Sequence, residues 1–104
     1  VVERSKSPID KIVEINNSRD ERFTSRLTPF TIITRLVEES GELAKEINRF
    51  EQQGSKLLRR EKGNKETIAH EITDVLAAAI HLAQYYNCVD LVLKSIDESH
   101  KRIK

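Results

Sequence analysis

Two short acidic blocks hold the residues best suited to chemistry: Glu38, Glu39 and Glu42 in VEESGEL, and Glu71 with Asp74 in HEITDV. Carboxylates three or four apart on a helix share one side, because about 3.6 residues make a turn. Glu39 with Glu42, and Glu71 with Asp74, therefore form two pincers that each open in one direction. Apolar neighbours place both beside a core: Leu36, Val37, Leu43 and Ala44 for the first, Ile72, Val75 and Leu76 for the second. Like charges ~5 Å apart repel by ~3 kcal/mol per pair at an effective dielectric of about 20. A cation between the pincers relieves that repulsion. Hard divalent ions that prefer oxygen ligands fit best, Mg²⁺ first and Mn²⁺ as a substitute. The plainer reading is a solvated face in which Lys45 pairs with Glu42 or Glu38, and Arg35 with Glu39. It leaves the acids of the second block unexplained.

The surrounding pattern predicts four helices and no strands. Ser7-Pro8 opens the first, with Ser at the N-cap and Pro at the first helical position. Its stripe is Ile9, Ile12, Val13 and Ile15, and it fades through Asn16, Asn17 and Ser18, leaving residues 19–27 as a connector. Thr28-Pro29 repeats the start signal for a long second helix that stops near Gly54. Two apolar sets recur along it at three, four and seven: Phe30, Ile33, Val37, Ala44 and Ile47, then Leu36, Leu43 and Phe50. Gly41 inside this helix weakens it by ~1 kcal/mol relative to Ala and leaves room for a close approach. A basic loop spans 55–63 and Asn64 caps the third helix. The stripe predicted there is Ile68, Ile72, Val75, Ala79, Leu82 and Tyr86. From Val75 to Ala83 only His81 is polar, which predicts burial on nearly all sides. Asn87-Cys88 breaks the helix, and Asp90 is the expected cap of the last one, with Leu91, Leu93, Ile96 and Ile103 as its stripe. Short connections between four helices imply an all-α, antiparallel four-helix bundle-type domain. A helix apolar all round in so small a chain points to a second subunit that covers it.

Length and composition narrow the classes. One hundred and four residues suit one domain, 1–104, with a single core. No run of about 18 apolar residues is present, so no membrane span is expected. The opening VVERSKSP is polar and lacks an apolar stretch, so no export signal is expected from it. A lone Cys88 suits a reducing cytoplasm. A net charge of +1 gives no general attraction to nucleic acid. The bases instead gather locally, in KLLRREKGNK and in HKRIK; the first could clamp phosphate or RNA, but without stacking aromatics it reads more plainly as a solvated loop.

Written out, the acids read E-E-x-x-E, then residues 43–70, then E-x-x-D. This resembles the signature of the MazG-like branch of the all-α nucleoside triphosphate pyrophosphohydrolases. LVEESGELAKEINRF and EITDVLAAAIHLA carry the likeness, and it covers roughly Arg19 to Arg102. The resemblance implies that Glu39, Glu42, Glu71 and Asp74 ligate Mg²⁺. Glu38 would be a further ligand, an outer group or a water-orienting base. It implies hydrolysis of a nucleoside triphosphate to the monophosphate and pyrophosphate by water attacking the α-phosphate. The second subunit expected over the third helix makes the unit a homodimer by default, with a homotetramer as the alternative.

The same likeness nominates substrate contacts. Many relatives place a Trp in the region of Phe23; this chain has none, so Phe23 stands as its substitute. Relatives often end K-x-x-x-N-x-x-R. Aligning Arg102 with that Arg puts Ser99 and Ser95 at the other two positions, with Lys94 one place off. Lys45, one turn beyond Glu42, is a phosphate candidate or a surface ion pair. His81, seven residues past Asp74, is a hydrogen-bonded buried histidine or a contact to the base. His70 is expected at the surface, pointing away from the acids. Phosphoribosyl-ATP pyrophosphatase and the dimeric dUTPases share the acid pattern and stay as alternatives, as does a catalytically silent nucleotide-binding adaptor. A redox di-metal bundle needs Glu-x-x-His pairs that the acid blocks lack.

Overall fold

The computed structural model describes residues 6–22, 27–51 and 64–103. They form four helices: α1 Pro8–Arg22, α2 Pro29–Glu51, α3 Lys65–Tyr85 and α4 Val89–Lys101. No strand occurs among them, so the chain is all-α, as the pattern predicts. The three start signals are built as read. The Ser7 hydroxyl accepts from Asp10 N at 3.1 Å while Asp10 accepts from Ser7 N, a reciprocal cap. Thr28 and Thr31 exchange the same pair of bonds. Asn64 Oδ1 accepts from Thr67 N at 2.7 Å. The predicted stop at Gly54 and the basic loop, apart from Lys65, lie outside the described residues.

Helix α3 is the axis of the fold. Helix α2 makes the most extensive packing with it, α1 packs against it less, and α4 least. The core is small: Ile12 from α1, Ala77 and Ile80 from α3, with Ile9 and Val13 packed against them. Alanines at 77, 78 and 83 let two neighbouring helices approach the axis closely, and Ala78 is fully buried. The buried side of α3 is therefore Ala77, Ala78, Ile80, His81 and Ala83. This corrects the predicted stripe, since Ile72, Ala79 and Tyr86 are exposed. A segment apolar at nearly every position has no period to read, and small side chains decide which faces can be covered.

Helix α1 also runs further than its apolar stripe, through Arg22. The reason is polar. Asn16 is 1% exposed, and its Nδ2 donates to the Ala77 carbonyl at 3.0 Å and to Gln84 Oε1 at 2.9 Å. Gln84 in turn donates to Asn17 Oδ1 at 3.0 Å. Long-range bonds thus hold the residues where the apolar stripe fades.

The chain leaves α3 through Asn87, whose φ of 55° is the left-handed conformation that ends helices. Cys88 N then bonds the Ala83 carbonyl at 2.8 Å. Cys88, rather than the predicted Asp90, occupies the N-cap of α4, and Asp90 sits in the first turn, where its charge favours the helix dipole. Helix α4 departs at a bend of 120° and buries no residue. The radius of gyration is 17.2 Å, against about 13 Å for a compact chain of this length. Apolar side chains stay open accordingly: Phe30 is 77% exposed and Val37 66%, beside Ile33 and Ile47, all on the first α2 set. Tyr85 and Tyr86 pack edge to face at the surface, with ring centroids 5.1 Å apart.

Candidate metal and nucleotide site

Both acidic blocks lie on the packed pair α2 and α3. On α2 the side turned to α3 carries Ile32, Leu36, Leu43 and Phe50, buried or half-buried, spaced four and then seven apart, with Glu39 and Glu46 dividing the sevens into an alternation of three and four. Glu39 falls on that same alternation and is half-buried with it. Glu42 lies one turn on and is exposed. Facing them, Glu71 and Asp74 are half-buried on α3.

Glu71 records how close the blocks come. Burial pushes its carboxyl above the usual carboxylate range, and the charges of Asp74, Glu39 and Glu42 push it further the same way; His70 opposes them. Two of those acids belong to the other helix, so the pincers share one field. Three of the four acids have a base on their own helix at ion-pair distance. Arg35 Nε stands 3.9 Å from Glu39 Oε2, Lys45 Nζ 3.8 Å from Glu42 Oε1, and His70 Nε2 3.6 Å from Asp74 Oδ2. All three are longer than a charge-assisted hydrogen bond, so the carboxylates are attended without being capped. Among the described residues Glu71 has no ion pair.

Ligand atoms of His70, Glu71 and Asp74 can all lie within 4.8 Å of one another, close enough for one ion. His70 is at the surface, as expected, yet its ring turns toward Asp74 rather than away from the acids. The signal was its spacing of four from Asp74. Glu46 was overlooked for the opposite reason, although it lies seven residues past Glu39 on the inner alternation. It is half-buried; Oε2 accepts from Arg49 at 3.1 Å and Oε1 is buried without a partner among the described residues.

Glu38 sits elsewhere. It is exposed and lines a shallow groove along α2 with Gly41, Glu42, Ala44, Lys45 and Asn48. A Cβ built on Gly41 meets nothing within 4 Å, so the chain's own packing does not require the glycine. The groove joins the acid cleft through Glu42, the residue common to both. Lys45 is in it, and its distance to Glu42 makes it the surface pair weighed above. Arg102 is exposed just beyond α4, and Phe23 lies outside the described residues.

His81 is enclosed rather than open to a ligand. It is buried, with Nε2 3.1 Å from Asp20 Oδ2 and Nδ1 3.4 Å from Arg35 Nη1. Arg35, which the sequence offered only as a partner for Glu39, thus joins α3 to the acid block of α2.

What the arrangement can do follows from its donors. Four carboxylates with oxygens free of close bonds, two of them half-buried beside a raised third, suit hard divalent cations. An exposed lysine and an open glycine stand next to them, where an anionic substrate can approach. No single helix among the described residues is long and apolar enough to cross a membrane. Residues 27–97 match the family of the MazG nucleotide pyrophosphohydrolase domain. No curated protein and no solved structure gives a significant match.

Proposed function

Because the chain belongs to the MazG nucleotide pyrophosphohydrolase family, and with it to the hydrolases of phosphoanhydride bonds, we propose that it cleaves (d)NTPs to (d)NMPs and pyrophosphate with Mg²⁺. The observation that carries this reading is the acid cluster of α3, where ligand atoms of His70, Glu71 and Asp74 lie within 4.8 Å of one another. Its oxygen donors, with those of Glu39 and Glu42 on α2, are hard and fit Mg²⁺, with Mn²⁺ as a substitute.

Glu39, Glu42, Glu71 and Asp74 hold the metal in this reading. When bound, Mg²⁺ polarises phosphate oxygens and lowers the pKa of a water molecule at the α-phosphorus. The residues do the rest. Glu38, on the groove side of α2, is placed to orient water or take its proton. Lys45 and the gap at Gly41 receive the phosphate chain, the lysine as a point charge. Phe23 and Arg102 serve the base and phosphates. His81 acts from within the packed helices rather than by touching the base. No serine or cysteine nucleophile is called for.

The working unit is a homodimer or homotetramer in the cytoplasm. Its motivation is the uncovered set Phe30, Ile33, Val37 and Ile47, which a second copy would bury; each such side chain is worth roughly 1.5–3 kcal/mol when fully covered. Sedimentation at micromolar concentration tests this, and a monomer throughout would remove it. The hydrolase reading is tested by pyrophosphate release from a panel of canonical, deoxy and modified nucleotides with Mg²⁺. No release from any of them would overturn it. Release of pyrophosphate from phosphoribosyl-ATP or dUTP alone would move the chain to those branches, and nucleotide binding without turnover would make it an adaptor.

A further inference from the structure

A line of polar contacts crosses all three packed helices and ends at the acid cleft. Asp20 on α1 meets His81 on α3 at 3.1 Å, His81 meets Arg35 on α2 at 3.4 Å, and Arg35 stands 3.9 Å from Glu39. A guanidinium only donates, so His81 Nδ1 must be the acceptor and carry no hydrogen. The ring proton is then on Nε2, where it is donated to Asp20. Asp20 thereby sets the tautomer, and the tautomer decides whether Arg35 has anything to hold.

The last gap is the informative one. Arg35 and Glu39 lie four apart on one helix and are both half-buried, and a charge-assisted guanidinium–carboxylate bond closes to about 2.7–2.9 Å, often through both oxygens. Here Nε stays at 3.9 Å because Nη1 is drawn toward His81. We infer that Asp20 and His81 form a tether that holds Arg35 short of Glu39, giving this carboxylate a counterion while leaving it uncapped for metal. The inference rests on the reading of Glu39 as a ligand. Asp20 and His81 are positioning residues in it, and Arg35 is a restrained competitor for the metal's place.

The test measures Mn²⁺ affinity of the nucleotide-free protein, by titration with electron paramagnetic resonance, across variants of His81 and Arg35. His81→Leu removes the acceptor, and affinity is expected to fall about 10-fold as Arg35 closes on Glu39. His81→Asn keeps an oxygen near the Nδ1 position and should stay within about twofold of the wild type. The decisive comparison places His81→Leu in an Arg35→Met background; with the competitor gone, the His81 change is expected to leave affinity within about twofold of Arg35→Met alone. Equal affinity for His81→Leu and His81→Asn would overturn the tether, as would a His81→Leu loss as large without Arg35 as with it. Nitrogen-15 spectra of the metal-free histidine give a second readout, expected to show the Nε2–H tautomer of His81; a proton on Nδ1 overturns the inference. If His81→Leu loses its helical signal, Asp20→Ala probes the same tether from nearer the surface, with a fall of a few-fold expected and no change refuting it. A wild-type chain that binds no Mn²⁺ would sink the metal reading itself, a failure distinct from the others.

Discussion

On its α1 side, α3 meets polar groups that bond at 2.9–3.1 Å: Asn16 to Ala77 and Gln84, Gln84 to Asn17, His81 to Asp20. On its α2 side the four candidate ligands Glu39, Glu42, Glu71 and Asp74 gather; the nearest bases to three of them stand 3.6–3.9 Å away, and Glu71 has no ion pair among the described residues. The two seams share an axis, and their polar residues behave oppositely. Amides both donate and accept, so the α1 seam satisfies most of its own groups and contributes to stability. Asn16 Oδ1 alone among its amide atoms is buried without a partner among the described residues. Carboxylates only accept, so the α2 seam cannot close on itself and stays open to a cation. Polar residues beside a core are thus either structural or functional according to whether their donors and acceptors balance.

The sharpest way to break this contrast is to neutralise the open seam. Glu42→Gln or Asp74→Asn should lower pyrophosphate release by more than about 100-fold, since outer-shell changes alone reach that size. Neither should lower the thermal midpoint, because each removes one partner of a mutual repulsion. Unchanged turnover in both variants would show that the catalytic assignment is wrong. The complementary change is Asn16→Leu in the closed seam. It strands the Gln84 oxygen and should cost about 1–3 kcal/mol. In a domain of about 100 residues, each kcal/mol lowers the midpoint by roughly 4–8 °C. An effect on the metal site larger than on stability would mean that the seams are not separate.

Acid titration distinguishes them more finely. Glu71 has a folded value raised above the ordinary 4.5, so the native state binds its proton more tightly than the unfolded chain does. Its contribution to stability is fully present below the unfolded value and is lost as pH rises through the folded one. The metal-free protein should therefore gain stability as pH falls toward 4.5, and Glu71→Gln should flatten that part of the curve. A wild-type curve without this rise would refute the shared field. The smallest effect expected is at Gly41. Replacing it with Ala should stabilise α2 by about 0.5–1 kcal/mol, because the new Cβ meets nothing within 4 Å among the described residues. If turnover falls while stability rises, the space at Gly41 serves a ligand or a second copy; unchanged turnover leaves it a tolerated defect.

Much of this was readable beforehand, and the reasons are local. Ser7, Thr28 and Asn64 announce helix starts because a cap satisfies orphan amides within a few residues. Asn87 announces a stop because its backbone tolerates the left-handed conformation. The pincers were legible because spacing fixes which side of a helix two residues share. What escaped notice depends on a partner far away in sequence. Asn16 looked like the end of a stripe and is a buried joint. Asp90 looked like a cap, but the turn through Asn87 starts α4 at Cys88. The side of α3 that is covered could not be chosen from a segment apolar at nearly every position.

By itself, then, the sequence determined four helices, the starts of the first three, and two acid pairs each confined to one side of a helix, because these follow from hydrogen-bond geometry within a few residues. Only the tertiary structure decided that α2 and α3 lie side by side so that Glu39 and Glu42 act on Glu71. It alone decided that Arg35 is drawn to His81, and that α4 and the Phe30 set remain uncovered. Those outcomes depend on which surfaces meet, and close approach along the small residues of α3 settles that only once the helices pack.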